Sequence, residues 1–119
     1  HAGGLRYHGD SPLVSQLLHE GRIEALAVPQ VATFEAGVQF ARAEGIIPAP
    51  ESCHAIRAAI DEALKCKATG EAKTILFSLT GHGHFDMASY DKYFSGQLED
   101  FDYPAEAIAE SLKHLPKVG

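Results

Sequence analysis

The sequence predicts an α/β fold in which helices are layered on a short parallel sheet. Residues 74–79, TILFSL, are apolar at nearly every position and are followed closely by Gly81, a pattern typical of a strand buried on both faces. Residues 23–28 form a second, mostly apolar run, closed by Pro29, whose backbone nitrogen cannot donate to a sheet. Helical patterns stand before, between and after these two runs, and such alternation favours parallel strands.

The first two helices are predicted from the residues at their ends. A glycine-rich loop, residues 1–10, precedes Ser11 and Pro12, which are typical of an N-cap followed by the first helical position. Gly21 supplies the left-handed residue that ends this helix. Thr33 is predicted to cap the second helix, which ends at Gly45.

The later helices follow a segment stiffened by two prolines. Residues 46–51, IIPAPE, are predicted to be extended, because Pro48 and Pro50 disfavour a helix in the residues before them. Ser52 is predicted to cap the longest helix, which continues to about Lys67. Residues 97–103 are a polar connection, and two shorter helices are predicted on either side of it, from Asp86 to Gly96 and from Pro104 to Pro116.

Length and charge limit the classes of function. A chain of 119 residues suits one domain, residues 1–119, with a modest core. The formal net charge of −6, with scattered basic residues, argues against a nucleic-acid surface. No apolar run reaches the length that a membrane span needs.

The chain is predicted to be a piece of a longer polypeptide. It begins with His1, its one methionine is Met87, and two strands are few for a sheet covered on both faces. Cys53 and Cys66 fall on one predicted helix, too far apart to form a disulfide within it. We therefore expect a reducing, cytoplasmic compartment.

The loop after residues 74–79 contains the local pattern His82-x-His84-x-Asp86. Imidazoles and a carboxylate at alternate positions could bind one metal ion, as in a small metal-dependent hydrolase or metal-binding module. A further histidine is expected directly after the aspartate in metallo-β-lactamase-type sites, and this chain has Met87 there. The other interpretation is a glycine-rich turn in which Asp86 caps the next helix.

Three longer motifs carry a family resemblance. They are GLRYHG at 4–9, EGIIPAPESCHA at 44–55 and LTGHGHFD at 79–86. In this order and spacing they resemble the C-terminal portion of tryptophan synthase β chains, of the second, divergent class. The better-studied class carries an aspartate in place of Arg6 and an arginine in place of His82. The resemblance implies a fragment of a fold-type II domain that depends on pyridoxal 5′-phosphate.

The resemblance also implies roles for individual residues. Thr80 matches a position whose hydroxyl contacts the pyridine nitrogen of the cofactor. Glu51 matches a glutamate beside the cofactor ring, and Gly81 and Gly83 let the backbone pass close to it.

The first loop is implied to contact the substrate and an ion. Arg6 lies where the commoner class has an acidic residue near the amino-acid substrate. The backbone carbonyls of Tyr7 and Gly9 are implied to help bind a monovalent cation.

The implied reaction is the β-replacement that joins indole and L-serine to give L-tryptophan, the lyase step of tryptophan biosynthesis. In this family the Schiff-base lysine, the catalytic glutamate and the phosphate-binding loop all lie upstream of the three motifs. We therefore expect no catalytic residue here and an inactive fragment, since covalent catalysis needs that lysine. The implied partners are the upstream part of the same chain and a second β chain in a homodimer; whether an α subunit also binds is left open by the sequence.

Overall fold

The computed structural model describes residues 2–5, 9–101 and 104–113. Within these ranges a short 3-10 helix, Gly3–Leu5, precedes five α-helices. They are α1 (Pro12–His19), α2 (Gln30–Glu44), α3 (Pro50–Thr69), α4 (Met87–Phe94) and α5 (Ala105–Leu112). Each lies where the sequence predicts a helix, although Pro116, the predicted end of the last one, is outside the described residues.

Helices α2 and α3 pack against each other and form the centre of the molecule. The core between them and α4 contains Phe34, Cys53, Tyr90 and Leu98. The ring of Phe34 meets that of Tyr90 edge-on, with centroids 5.1 Å apart. Leu98 comes from the connection that was predicted to be polar, so that prediction is wrong at this residue.

The two central helices begin earlier than predicted, because a proline fixes the backbone at each start. Helix α2 begins directly after Pro29, so Thr33 lies inside it and donates its buried hydroxyl to Gln30 O at 2.7 Å. Helix α3 begins at Pro50, so Ser52 lies in its first turn. Neither Thr33 nor Ser52 is the N-cap that the sequence predicted.

A distant part of the chain instead provides hydrogen-bond partners for the N-terminus of α2. Asp100 Oδ1 accepts a hydrogen bond from the backbone N–H of Val31 at 2.9 Å. The side chain of Gln30 donates to the backbone carbonyl of Glu99 beside it. This capping carboxylate is 69 residues away from its partner, which is why no local pattern predicted it.

The predicted parallel sheet is wrong for the residues that the structure describes. Residues 23–28 and 74–79 form no strand, and the one β-type pairing in the described ranges is an isolated antiparallel bridge between Pro48 and His82. An apolar run becomes a strand only when a second backbone lies alongside it to exchange hydrogen bonds. Neither run has such a neighbour among the residues that the structure describes, so this part of the fold is helical with extended connections.

Residues 71–80 run back along α3 towards its N-terminus. Lys73 forms an ion pair with Glu62 of α3 at 3.1 Å. Further on, Phe77 packs edge-on against Phe40 of α2, with ring centroids 5.9 Å apart. This path places Thr80, Gly81 and Gly83 beside the N-terminal end of α3.

Much apolar surface is uncovered. Every residue of α1 is exposed, and neither α1 nor α5 packs against another helix in the described part of the chain. Leu76 is 94% exposed and Phe85 is 93% exposed. The radius of gyration is 16.8 Å, against about 14 Å for a compact domain of this length. None of the described helices is long and apolar enough to cross a membrane.

We expect this surface to make the chain self-associate. Sedimentation velocity at increasing concentration should show a rising average mass, and Leu76→Glu should reduce it. Ser78→Glu is the matched control, because it adds the same charge on the same exposed segment without removing apolar surface. A monodisperse monomer at all concentrations would contradict this prediction.

Candidate functional site

The turn at residues 81–83 is paired with the segment that leads into α3. The backbone N–H of Ala49 donates to Gly81 O at 3.1 Å, and that of Gly83 donates to Ile47 O at 2.8 Å. These bonds flank the Pro48 and His82 bridge. Residues 46–49 stay out of a helix, as predicted, and so leave their backbone groups available to hold the turn, whereas residues 50 and 51, also predicted to be extended, begin α3.

Gly83 is required by the space around it. A Cβ atom at this position would lie 2.5 Å from the carbonyl oxygen of Pro48. At Gly81 a Cβ atom would be 3.1 Å from the Cβ of Ala49, a tight but less severe contact. The two glycines therefore let the turn lie directly against the extended segment.

Tyr90 and Cys53 hold the same segment from its buried side. Tyr90 Oη donates to Pro48 O at 2.6 Å, and Cys53 Sγ lies 3.4 Å from Tyr90 Oη. Burial raises the pKa of both groups; the hydrogen bond between them raises the Tyr90 pKa further and partly offsets the rise in the Cys53 pKa. Both therefore stay protonated at neutral pH.

This buried pair predicts a loss of stability in alkali. In the unfolded chain Tyr90 and Cys53 lose their protons near the ordinary values of 10.0 and 9.0, whereas the folded chain retains them. Because the unfolded state then binds fewer protons, the free energy of unfolding is fully retained below about pH 9 and falls as pH rises. Urea unfolding midpoints measured from about pH 8 to 11 should show this decline.

Two tyrosine variants separate this effect from general alkaline damage. Tyr90→Phe removes one titrating group and should flatten the decline, although it also costs about 1–3 kcal/mol at pH 8 by leaving Pro48 O without its donor. Tyr93→Phe keeps Tyr90 and should retain the full decline. A midpoint that does not change with pH in the parent chain would contradict the prediction.

Glu51 connects α3 to the first loop. Its Oε1 atom accepts a hydrogen bond from the backbone N–H of Gly4 at 2.8 Å. A Cβ atom on Gly4 would lie 3.1 Å from that same oxygen, so the glycine permits the close approach. The half-buried carboxylate thus ties residues 2–5 to the first turn of α3.

Ser52 connects α3 to the loop that contains Thr80. The backbone N–H of Thr80 donates to Ser52 Oγ at 3.2 Å, and the two hydroxyl oxygens are 3.4 Å apart. Ser52 is 2% exposed, whereas the side chain of Thr80 lies on the surface. Sequence reasoning treated Ser52 as a helix cap, and no local signal pairs it with Thr80, which lies 28 residues further along the chain.

The structure therefore brings together four of the residues that the resemblance singles out. Glu51 lies in the first turn of α3, Thr80 is bonded to the adjacent Ser52, and Gly81 and Gly83 pair with the segment just before the helix. Gly9 is exposed. The other two positions in the first loop, Arg6 and Tyr7, lie outside the described residues.

The metal-site alternative receives no support from this geometry. In the described ranges no group of three or more His, Cys, Asp or Glu side chains is close enough to bind a metal ion. The rings of His82 and His84 lie 4.7 Å apart, tilted by 53°, and His82 also contacts Phe85. Asp86 occupies the N-cap position of α4, but its carboxylate makes no capping hydrogen bond.

Comparison with known proteins gives a consistent result. The chain is 71% identical over 98 residues to the tryptophan synthase beta chain 2 of Methanosarcina acetivorans and 67% identical over 100 residues to that of Aquifex aeolicus. It is 46% identical over 116 residues, 98% of its length, to the tryptophan synthase beta chain 2 of Pyrococcus furiosus. The first two matches cover 82% and 84% of this chain. No protein-family model matches.

The predicted resemblance to tryptophan synthase β chains is thus confirmed. These three relatives all bear the name of the second type of β chain, which is the class that the motifs indicated. The chain spans between 22% and 26% of the length of these three relatives.

Proposed function

We propose that the chain is the C-terminal part of a tryptophan synthase β protein and forms one wall of its cofactor pocket. The complete protein would be a pyridoxal-phosphate-dependent lyase that joins indole and L-serine to give L-tryptophan. The sequence identity of 71% to a relative of that name supports the family. The observation that carries the site is the surface hydroxyl of Thr80, anchored to the buried hydroxyl of Ser52.

The side chains at this site fit one face of the cofactor. Pyridoxal phosphate, when bound, supplies an aromatic ring that withdraws electrons from the substrate. A threonine hydroxyl can donate a hydrogen bond to an unprotonated ring nitrogen without adding charge. Thr80 is exposed at the surface and held at its backbone and its hydroxyl, so it suits this role.

The neighbouring residues suit a wall against a flat ring. Gly81 and Gly83 present backbone without side chains, and their turn is fixed by two hydrogen bonds to residues 47 and 49. Glu51 lies at the same end of α3, where its carboxylate is held by Gly4 N–H. We propose that these residues bind and orient the ring and exclude water from one side of it.

The remaining parts of the proposal concern the first loop and the cell. Arg6 would lie near the amino-acid substrate, and the carbonyls of Tyr7 and Gly9 would help bind a monovalent cation. The complete protein would be a cytoplasmic homodimer that also uses the upstream part of its own chain, and an α subunit is a further proposed partner.

The chain alone is proposed to be inactive. Covalent catalysis needs a lysine beside the cofactor. Lys73 and Lys65 are instead paired with Glu62 on the surface of α3, and Lys113 is paired with Glu110 at the end of α5. Lys67 and Lys92 are also exposed, and the resemblance matches none of these lysines to the Schiff-base lysine, which it implies lies in the upstream part of the complete protein.

A chimera tests the proposal. The segment of the Methanosarcina acetivorans relative that matches this chain would be replaced by this chain, and tryptophan formation from indole and L-serine would be measured. We expect the chimera to bind pyridoxal phosphate and form tryptophan, and the 119-residue chain to do neither.

The unaltered relative is the positive control, and helical circular dichroism shows whether the chimera folds. A folded chimera that neither binds the cofactor nor forms tryptophan would overturn the proposed function. Tryptophan formation by the 119-residue chain would overturn the proposal that this part is inactive alone.

A further inference from the structure

We propose that Ser52 is a positioning residue that makes Thr80 a hydrogen-bond donor towards the cofactor ring. This inference rests on the proposed function. It states which hydroxyl donates the hydrogen bond between Ser52 and Thr80. This assignment follows from the unequal burial of the two side chains.

The Ser52 hydroxyl has one proton, and the protein around it decides where that proton points. Its oxygen already accepts the Thr80 N–H at 3.2 Å. At 2% exposure the hydroxyl has almost no access to solvent, so its proton must find an acceptor inside the protein.

Ser52 does not use the usual internal acceptor. Inside a helix a serine hydroxyl often donates to the carbonyl four residues back, which here is Pro48 O. In the described part of the chain Ser52 Oγ makes no such bond: its hydrogen-bond partners are the Thr80 N–H and Thr80 Oγ1, whereas Pro48 O is bound by Tyr90 Oη at 2.6 Å. Among the described residues the nearby acceptor for Ser52 is then Thr80 Oγ1, 3.4 Å away.

The Thr80 hydroxyl is placed differently. Because its oxygen receives the Ser52 proton, its own proton points away from Ser52 towards the exposed side of the loop. An unprotonated pyridine nitrogen on that side is an acceptor without a proton to give. The buried Ser52 therefore makes Thr80 Oγ1 the acceptor within the pair and leaves the Thr80 proton free to be donated to the ring nitrogen.

The test is a double-mutant cycle in the chimera, read by the dissociation constant for pyridoxal phosphate. Ser52→Ala should weaken binding roughly fivefold to tenfold, the loss expected for one poorly oriented hydrogen bond. In a Thr80→Val background, Ser52→Ala should have a much smaller effect, because no hydroxyl remains at position 80 to orient and only the hydrogen bond from the backbone N–H of that position is lost. Ser52→Thr, which keeps the hydroxyl, should restore most of the affinity.

A purely structural role for Ser52 would give a different pattern. If Ser52→Ala weakens binding equally in the Thr80 and the Thr80→Val backgrounds, or not at all, this inference is overturned while the proposed function stands. If the folded chimera with the unaltered segment does not bind pyridoxal phosphate, both are overturned. Helical circular dichroism of each variant identifies any loss of binding that comes from unfolding.

Discussion

Phe34→Ala is expected to destabilise the chain by about 3–5 kcal/mol, enough to unfold a large fraction of a marginally stable protein. Phe34 is 1% exposed and lies in the centre of the core that joins α2 to α4. Its ring contacts Tyr90 edge-on and stacks on Tyr93 with centroids 5.9 Å apart. Truncation would leave a cavity that the rigid pair of helices cannot close. Urea unfolding followed by circular dichroism measures the loss.

The chain offers a matched control for this change. Phe85→Ala removes the same atoms from a side chain that is 93% exposed, so its effect should stay within about 0.5 kcal/mol. Equal effects of the two substitutions would show that the core does not form around Phe34.

Gly83→Ala is expected to have the second-largest effect, about 2–3 kcal/mol, through overpacking. The added Cβ atom would lie 2.5 Å from Pro48 O and 2.9 Å from Ile47 Cγ2. The backbone of Pro48 cannot move aside cheaply, because its carbonyl accepts the buried hydrogen bond from Tyr90. The turn should therefore detach from the extended segment, and hydrogen exchange of the Gly83 and Ala49 positions should rise.

Substitutions at two other glycines serve as graded controls for the Gly83→Ala prediction. Gly3→Ala meets nothing within 4 Å and should be nearly neutral, and Gly81→Ala, at 3.1 Å from Ala49 Cβ, should fall between the two. A Gly83→Ala chain as stable as the Gly3→Ala chain would contradict the described packing of the turn.

The helices were predictable because their signals are local. Pro12 and Gly21 bound α1, and the glycines at 45 and 70, with φ of 71° and 75°, end α2 and α3. The start of α2 was misplaced because Asp100, 69 residues away, satisfies its N-terminus. The prediction of a sheet was wrong for a related reason. An apolar run such as residues 74–79 indicates that a segment tends to be buried, but it does not indicate whether a second backbone lies beside it to form the sheet.

The site was predictable only in part. The motifs singled out Thr80, Glu51 and the two glycines, and the structure places them at one end of α3. The contact between Ser52 and Thr80 joins residues 28 apart and depends on where Pro50 starts the helix. No spacing rule in the sequence relates a helical serine to a hydroxyl on a later loop, so this contact follows only from the three-dimensional fold.

The proposed role of Thr80 is best tested by the affinity of the chimera for pyridoxal phosphate when Thr80 is changed. Thr80→Val keeps the shape of the side chain and removes its hydroxyl, and Thr80→Ser keeps the hydroxyl. If Thr80 faces the ring nitrogen, Thr80→Val should weaken binding roughly tenfold and shift the visible absorption band of the bound cofactor, while Thr80→Ser should change little. Unchanged affinity and an unchanged band in a folded Thr80→Val chimera would contradict the proposed role of Thr80.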